Sequence, residues 1–475
     1  MKHLFITFFL FIGMATAGFA QSLFESESES ANSSDEKNAG FSLNGYMKSS
    51  VYGGGKEYNL ATTFAELVLQ GKLNYKNAFL QSDIRLREGL FFNSHEQQYE
   101  LTELYGGYRS EKFDLLLGNQ IVLWGRTDGF NPTDNITPTD YFFLTPDPED
   151  QQLSNFMLRM KYRFTPTVEL ELIGIPFYKP SEYRFDLFNL NRKMVIENVP
   201  MPPIDMQVQF DPMMLPERKL KNGSIAARLN FELPVIGFSL SYFRGYDPFH
   251  GFDLKNIDIL PADPAADPAD PTPPMTITYV PESYLKNTIG GDFAIPVSTW
   301  IFRGEMAYNI IDNKEEKPFI PNSDLSYVFG IEKNWNDFII IGQYIGKRVK
   351  GFKSLSEPTL NPTDPASIAA FPQLMTDYET RQFNRKIFNQ QEKSNHALAL
   401  TLSRSFAYEV WKADLTGYYN LTNKEWMIRP ALTWKISDAL ALTAGGQYMK
   451  GPDKSIFSYS SRILNGAFAE LKVSF

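Results

Sequence analysis

The chain contains no cysteine among its 475 residues and only four histidines. Without cysteine no disulfide can form, so an exported chain of this length must be stabilised in another way. The same absence excludes thiolate metal sites, and the histidines do not show the spacing of metal ligands. We therefore expect no bound metal and no other cofactor.

Long apolar runs are also lacking, since beyond residue 20 none approaches the roughly 20 residues of a transmembrane helix. Residues 1–20 differ, because Lys2 precedes an apolar stretch at 4–12 and the small residues Gly18 and Ala20 precede Gln21. This pattern predicts a cleaved signal peptide. A retained anchor is the alternative, but the apolar stretch is too short to span a bilayer. The cleavage point has no cysteine to carry a lipid.

An excess of positive charge is missing as well, because the formal net charge is −9 at pH 7. A nucleic-acid partner requires a basic face, so we expect none. Residues 21–40 are acidic, polar and of low complexity, which predicts a disordered periplasmic leader. A docking segment is the alternative interpretation of these residues.

The sequence is rich in aromatic residues, which make up 15% of it, and in regular alternation. From Phe41 to the end, apolar and polar residues take turns. In the clearest segment, 156–164, every second residue is apolar or aromatic, and three of the intervening residues are basic, Arg159, Lys161 and Arg163. A period of two is typical of a strand whose two faces meet different surroundings.

Segments of this kind recur about eighteen times, as expected for a membrane barrel in which lipid-facing and lumen-facing residues alternate. We predict strands at 41–51, 60–74, 77–89, 98–109, 112–124, 152–165, 167–176, 219–232, 235–246, 284–295, 298–310, 323–335, 337–349, 391–407, 409–420, 424–436, 438–450 and 460–475.

The connections between these segments alternate between short and long, and the longest lie near 177–218, 247–283 and 350–390. This alternation predicts an all-β, transmembrane, antiparallel up-and-down β-barrel of 16–18 strands over 41–475, with short periplasmic turns and long extracellular loops. The alternative is a soluble sandwich or propeller, but a propeller requires a repeat that the sequence lacks. The proline-rich tract 261–271 is interpreted as a solvated external loop, or as a site for a partner or cation.

The final segment alternates up to an aromatic terminal residue. Its outward-facing residues include Leu471, Val473 and Phe475. This resembles the C-terminal signal that barrel-assembly machinery recognises in outer-membrane proteins. A terminal strand must also offer an edge that closes the sheet, because lipid cannot satisfy an open edge.

A short motif follows the fifth predicted strand. Gly118, Gln120, Trp124 and Gly125 are followed by Asn-Pro-Thr-Asp at 131–134. The stretch resembles a group of Gram-negative outer-membrane proteins related to porins and alginate-export-type channels, which share a G-x-Q-x-x-x-W-G strand end and an N-P-x-D turn. The motif is short, while the barrel pattern covers the rest of the mature chain. The resemblance implies a channel, monomeric or oligomeric, and carries no catalytic residues.

The residues after this motif, up to position 150, depart from strand alternation. Proline and glycine limit their freedom, and they carry Arg126, Asp128, Asp134 and Asp140. We predict a rigid polar loop that folds into the lumen as a constriction, with carboxylates opposite wall arginines. Alternatively, the Asp side chains cap local turns in a structural loop.

The parity of the strands assigns a set of basic residues to the lumen wall. These predicted pore-lining residues are Arg85, Arg87, Arg159, Lys161, Arg163, Arg228, Arg303 and Arg429. Basic residues on a low-dielectric wall concentrate anions, which favours anionic or sugar-acid solutes. Alternatively, arginines and acids pair with one another and merely fill the lumen.

No catalytic pattern accompanies the barrel. After signal cleavage only His95, His250 and His396 remain, and none has a patterned Ser or Asp partner. We therefore expect a porin-like channel for small polar solutes rather than an enzyme. The alternative is a non-transporting, surface-binding or structural barrel. The expected partners are outer-membrane lipid, the barrel-assembly machinery, the solutes and a second copy of the chain.

Overall fold

The computed structural model describes residues 40–188, 190–194, 204–259 and 274–475. The predicted signal peptide, all but the last residue of the predicted leader, and the proline-rich tract lie outside these residues. The described part of the chain forms β1 (Gly40–Gly53), β2 (Leu60–Tyr75), β3 (Ala78–Phe91), β4 (Ser94–Arg109), β5 (Phe113–Gln120), β6 (Asn155–Thr165), β7 (Val168–Ile175), β8 (Arg192–Met194), β9 (Ile204–Phe210), β10 (Ser224–Leu233), β11 (Ile236–Tyr246), β12 (Gly251–Ile259), β13 (Pro274–Glu282), β14 (Leu285–Val297), β15 (Trp300–Ile311), β16 (Asp324–Trp335), β17 (Phe338–Val349), β18 (Ser394–Phe406), β19 (Trp411–Asn420), β20 (Glu425–Lys435), β21 (Leu440–Lys450) and β22 (Gly466–Ser474).

Eighteen of these strands form one closed antiparallel barrel. Each pairs with the next along the chain, except that β7 pairs with β10 and β11 with β14. β22 returns to β1, with Tyr46 opposite Ser474 and Gly53 opposite Ala467. Closure gives every barrel strand two neighbours, which is the requirement for a sheet in hydrocarbon. The predicted barrel is therefore confirmed.

The two faces of the barrel have opposite chemistry. In β3, Ile84 and Leu86 are exposed on the outside, whereas Asp83, Arg85 and Arg87 are buried on the inside. The alternation predicted for a lipid-facing and a lumen-facing surface is therefore present. A closed barrel with an apolar exterior and a charged interior belongs in the outer membrane.

Aromatic side chains mark both ends of the outer surface. At the end with the short turns, here called the turn end, Trp411 stacks on Trp434 with ring centroids 5.3 Å apart. At the opposite end, here called the loop end, Trp426 packs against Tyr448 at 5.4 Å. Such belts are typical of the two lipid–water interfaces. The turn end is the periplasmic end of an outer-membrane barrel.

Phe475 lies at the turn end beside β1. Its backbone exchanges two hydrogen bonds of 2.9 Å with that of Gly45. The residue therefore takes part in the seam that closes the barrel. Its recognition by barrel-assembly machinery stays a prediction.

The connections at the loop end hold structure that the alternation did not predict. β8, β9, β13 and β12 form a separate four-stranded sheet, in which β9 and β13 are parallel. Helix α1 (Pro365–Ile387) lies between β17 and β18, and α2 (Ile456–Leu464) precedes β22. Short 3-10 turns cover Pro148–Gln151, Phe185–Leu187 and Leu220–Asn222.

Neither of these helices is a membrane span: within the described residues, no helix combines the necessary length and hydropathy.

Several predicted bounds were wrong for local reasons. The last predicted strand included residues 460–464, but these belong to α2, whose first turn is capped by the Ser455 hydroxyl accepting from Ser458 N. The fifth predicted strand ran to Trp124, but β5 ends at Gln120. The predicted alternation of short and long connections is also not strict, because Phe92 and Asn93 alone join β3 to β4.

Apolar side chains from several elements meet at the loop end. This aromatic cluster contains Phe64 and Phe91 of the barrel wall, Phe142 and Phe143 of the connection between β5 and β6, and Phe371 of α1. The separate sheet adds further members, Met206, Phe252, Met275, Ile277 and Tyr279. Asn384 joins α1 to β12, since its side chain accepts from Phe252 N and donates to Phe252 O, both at 2.8 Å. The cluster thus forms a core above the barrel wall.

The opposite chemistry of the two faces can be tested at adjacent positions in the middle of β18. Leu400 faces outward and is 46% exposed, while Thr401 faces inward opposite Thr416. We expect Leu400→Arg to lower the free energy of unfolding in lipid vesicles by about 2–4 kcal/mol, because the charge meets hydrocarbon. Thr401→Arg should change it by about 1 kcal/mol or less. Equal costs in urea titrations would contradict the assignment of the faces.

Candidate functional site

The connection between β5 and β6, residues 121–154, leaves the sheet and enters the lumen; it is here called the inner loop. Gly118 has a φ of +138°, and a Cβ there would lie 2.2 Å from Leu104 O, so only glycine fits. After Gln120, Ile121 N donates to Glu103 Oε1 at 2.9 Å instead of continuing the ladder. The chain therefore turns inward where the G-x-Q motif ends.

The Trp-Gly pair of the motif anchors the start of the inner loop. Trp124 is 1% exposed and donates its indole N–H to Glu171 Oε2 on β7 at 3.0 Å. It packs in a cluster with Val122, Ile136, Met157, Ile173, Ile175, Ala226 and Phe243. Gly125 has a φ of +112°, and a Cβ there would lie 2.5 Å from Glu305 Oε2. The glycine therefore lets the loop backbone approach a wall carboxylate.

Glu305 of β15 is the main acceptor for the inner loop. It receives the backbone N–H of Arg126 at 3.2 Å and of Thr133 at 2.7 Å. The hydroxyls of Thr127 and Thr133 donate to it at 3.0 and 2.8 Å. One buried carboxylate therefore holds both ends of the loop segment 126–133.

Arginines reinforce this attachment in both directions. Arg126 of the loop donates to Asp292 Oδ1 on β14 at 2.7 Å and to Glu232 Oε1 on β10 at 2.5 Å. Conversely, Arg303 of the wall lies 3.1 Å from Asp128 of the loop. These pairs attach one side of the inner loop to the strands β10 to β15.

The other end of the inner loop is tied to a different part of the wall. Asp150 accepts from Lys48 of β1 at 2.6 Å and from Arg85 of β3 at 3.1 Å. Burial alone would raise the pKa of the Asp150 carboxyl, but these two cations hold it below its ordinary value. Arg429 of β20 donates to the backbone oxygens of Thr145 at 2.6 Å and Pro146 at 3.2 Å. The inner loop is therefore bonded across the lumen.

The four acidic and basic loop residues predicted from the sequence have different surroundings. Arg126 and Asp128 face wall residues of opposite charge. Asp140 instead caps a local turn, where its Oδ1 accepts from Phe142 N at 2.9 Å and Phe143 N at 3.0 Å. Asp134 lies within the loop, and its Oδ1 is shielded from solvent with no hydrogen-bond partner among the described residues.

Burial raises the pKa of the Asp134 and Asp140 carboxyls well above that of an ordinary aspartate. It raises the pKa of Asp134 to about 7, opposed by the backbone N–H of Trp124 and reinforced by Glu305. It also raises the pKa of Asp140 to about 6, with a further increase from Glu182. Both groups are therefore more easily protonated than an ordinary aspartate.

The predicted pore-lining bases all face inward, and most of them have a carboxylate partner. The pairs are Arg85 with Asp83 and Asp150, Arg87 with Glu66, Arg159 with Glu171, Lys161 with Glu169, Arg163 with Asp114 and Glu169, Arg228 with Asp292, and Arg303 with Asp128 and Glu332. Arg429 differs, because it has no ion-pair partner in the described part of the chain: it donates to backbone oxygens, interacts with the Tyr52 hydroxyl and lies over the Phe468 ring. The arrangement matches the alternative of a mixed arginine–acid network.

Several strands have no polar bond with the inner loop among the described residues, and the largest group of neighbours among them is β16 to β19. Strand pairing puts Gln343, Ala399, Thr401, Ser403 and Thr416 on the inner face of β17 to β19, together with Ile341, Ile345 and the ion pair of Lys412 with Asp414. Near the turn end, a cavity of about 440 Å³ lies beside Arg126, Glu232 and Arg303. The lumen is thus filled unevenly.

Sequence reasoning missed Asp292 and Asp150 as partners of the loop and wall. Asp292 is at one of the alternate positions of β14 that face inward, so strand alternation could have identified it as a lumen residue. Asp150 carried none, because nothing local indicates that it reaches β1 and β3.

The three histidines among the described residues lie in separate places. His95 is near Glu88 at 3.5 Å, His250 is buried beside Phe249 and Tyr183, and His396 contacts the Tyr344 hydroxyl at 2.6 Å. Among the described residues, no group of three or more acidic or histidine side chains is arranged to hold a metal ion.

Replacing Glu305 tests how the inner loop is held. Glu305→Gln has the same shape but leaves some of the four donors without an acceptor, so we expect the free energy of unfolding to fall by about 2–4 kcal/mol. Limited proteolysis within 126–133 should also become faster. The control Glu169→Gln removes a carboxylate that pairs only with wall residues, and should cost about 1 kcal/mol or less. Equal behaviour of both variants would refute the role of Glu305.

The raised pKa of Asp134 predicts a pH dependence. In the unfolded chain this carboxyl ionises near its ordinary pKa of about 3.9, whereas in the fold it stays protonated up to about 7. Its contribution to stability is complete below about pH 4 and is lost as the pH rises to 7. We expect Asp134→Asn to be about 2–4 kcal/mol more stable than the native protein at pH 8.

At pH 4 the two proteins should have similar stability, because the native carboxyl is then also neutral. Unfolding titrations at both pH values check this difference. A constant difference across the pH range would show that another property of the substitution is responsible.

No protein-family model and no curated protein sequence matches the chain. Solved structures do match its fold. Pseudomonas aeruginosa OccK5 (OpdH) has a TM-score of 0.50 at 10% identity, covering 92% of this chain and 98% of that one. Acinetobacter baumannii OccAB3 has a TM-score of 0.49 at 10% identity, over 93% and 99% of the two chains. P. aeruginosa OccK2 (OpdF) in complex with glucuronate has 0.47 at 9% identity, over 92% and 98%.

At these identities the likeness concerns the fold alone. It shows a fold shared with outer-membrane barrels and does not point specifically to the alginate-export-type group that the motif after β5 resembles.

Proposed function

We propose that the protein is an outer-membrane channel through which small polar solutes diffuse, with a preference for anions such as sugar acids. The observation that carries this proposal is the position of the inner loop. It is bonded to β1, β3 and β20 on one side and to β7, β10, β14 and β15 on the other. The inner face of β17 to β19 has no polar bond to it among the described residues, so a passage along that face is the natural route.

The chemistry of this face suits small polar solutes. Hydroxyl groups such as those of Thr401, Ser403 and Thr416 can exchange hydrogen bonds with a passing solute without binding it tightly. Deep charged sites would retain a solute. The one charged pair of β19 on this face, Lys412 with Asp414 at 3.1 Å, lies near the turn end, and its two charges offset each other.

The preference for anions rests on cations that lack a carboxylate partner. In the described part of the chain, neither Arg429 nor Lys435 of β20 forms an ion pair. Both point inward on β20, next to the inner face of β19. Unpaired positive charge on a low-dielectric wall raises the local concentration of anions. The paired bases that the sequence predicted to line the lumen contribute less, because each of them has a carboxylate beside it.

The loop end limits the size of the solute. The aromatic cluster brings α1, the separate sheet and the inner loop together above the wall. We therefore expect a small single-channel conductance rather than that of a wide general pore.

Removing the charge of Arg429 tests both the route and the preference. A charge about 10 Å from a passing ion at an effective dielectric of about 20, screened at physiological salt, changes permeability on the order of threefold. We expect Arg429→Gln to lower the anion-to-cation permeability ratio by that factor in planar bilayers, measured as a reversal potential. Arg429→Lys retains the charge and should retain the ratio.

Lys161→Gln is the positional control. Lys161 lies 3.0 Å from its partner Glu169, and this pair is on strands that do not border the proposed route. A ratio that responds equally to Lys161→Gln and Arg429→Gln would contradict the proposed route. Clear cation selectivity of the native barrel would contradict the anion preference.

A second candidate function is favoured by the separate sheet and α1 at the loop end, which form a sizeable external structure. A surface-binding barrel that transports nothing would give no conductance and no liposome swelling with sugars or organic acids. The proposal includes no catalytic activity. The relation to alginate-export-type channels stays a hypothesis that rests on the motif after β5.

A further inference from the structure

A second cavity, here called the rim cavity, lies at the turn end on the opposite side of the barrel from the proposed route. It has a volume of about 630 Å³. The turn between β2 and β3 and the turn between β4 and β5 form its walls, including Asn74, Lys76, Arg109 and Lys112. The proposed channel function does not use it.

The rim cavity is positively charged. Lys76, Arg109 and Lys112 line it against the single acid Glu111, so its formal charge is 3 − 1 = +2. Arg109 lies 3.6 Å from Asp114, but Asp114 is already engaged by Arg163 at 2.5 Å. In the described part of the chain, neither Lys76 nor Lys112 has an ion-pair partner. The three cations therefore have unused capacity for an anion.

The geometry of the rim cavity is held by bonds between the two turns. Asn77 Nδ2 donates to Arg109 O at 2.7 Å, and Arg109 N donates to Asn77 O at 2.8 Å. The Arg109 guanidinium lies 4.8 Å above the centre of the Phe79 ring, which keeps it from folding back. Because these bonds hold the backbone of the two turns in place, binding an anion there requires only a small loss of conformational entropy.

The chain itself supplies an acidic segment next to this cavity. Residues 25–36 contain five acids and no base, with acids at Glu25, Glu27, Glu29, Asp35 and Glu36. The segment joins β1 at Gly40, and Gly40 is paired with Asn74, which lines the rim cavity. Four residues span up to about 14 Å, so Glu36 is within reach.

We propose that the rim cavity is a carboxylate-binding site and that its occupant is the acidic segment 25–36 of the same chain. Opposite charges and the short connection through Gly40 favour this occupant, because a tethered ligand has an effective concentration in the millimolar range. The segment is thereby held at the periplasmic rim beside β2 to β5, away from the inner face of β17 to β19.

The absence of native cysteine permits a direct test by disulfide cross-linking. A mature chain with Ser33→Cys and Glu111→Cys carries its only two thiols in the segment and the rim cavity. The matched control is Ser33→Cys with Asp337→Cys, which also replaces an acid in a turn at the same end, between β16 and β17. We expect the first pair to cross-link faster than the control, on the order of tenfold or more.

Neutralising either partner should abolish the difference. One variant changes Lys76, Arg109 and Lys112 to Gln, and another changes the five acids of the segment to Gln or Asn. Salt at 1 M, where the screening length is about 3 Å, should reduce the difference as well. Equal rates for the two cysteine pairs, or a difference that persists after neutralisation, would overturn the proposal.

Anionic lipid is the competing occupant, and the membrane composition distinguishes it. Cross-linking is compared in nanodiscs of phosphatidylethanolamine alone and of phosphatidylethanolamine with phosphatidylglycerol. A fast Ser33→Cys–Glu111→Cys reaction in both supports the segment as occupant. Loss of the reaction in the phosphatidylglycerol discs would mean that lipid headgroups take the cavity, which overturns the assignment. The conductance of the channel does not enter this readout, so the two proposals fail independently.

Discussion

Hydrocarbon offers no hydrogen-bond partner to a backbone N–H or C=O, and the rest of this structure follows from that constraint. The sheet must close, so β22 pairs with β1 along eight residue pairs. Once closed, it has an outside that meets lipid and an inside that does not. Charged side chains are costly in lipid, so the alternation along each strand turns them inward. The interior then contains many charges in a confined space.

Confined charges have to satisfy one another, and this explains how the inner loop is held. Unpaired buried charges are expensive, so arginines and carboxylates from different strands share bonds. Asp292 receives donors from both the wall and the loop, and Glu305 of the wall receives four from the loop. Asp150 of the loop receives two wall cations. The same pairing that neutralises the wall therefore carries the loop across the lumen. A few bases without carboxylate partners, such as Arg429, are what remains to influence a solute.

At the loop end, outside the membrane, apolar side chains are buried inside the structure instead of facing outward. The aromatic cluster buries Phe, Met and Ile side chains as a soluble protein would, because the loop end lies in water. α1 begins at Pro365 behind the capping side chain of Asp364, and Asn384 ties it to β12. One chain thus combines a small apolar core with a barrel whose exterior is apolar and whose interior is charged. They meet at Phe64 and Phe91, which lie on the inner wall near its end.

Local sequence patterns were enough to predict the strands and the direction of their side chains. A period of two is a local property, so segments such as 156–164 or the run from Gln81 to Arg87 reveal which residues face inward. The sequence also indicated, through Trp124, Gly125 and the following polar residues, that the chain departs from the sheet after β5. Which charged residues pair with one another follows from the three-dimensional fold and from nothing local. Arg126 and Asp292 are 166 residues apart, and Lys48 and Asp150 are 102 apart. Their encounter depends on the closure of the barrel, which no local pattern encodes. For the same reason the external sheet and α1 were not predicted, because their apolar residues find partners only where distant connections converge.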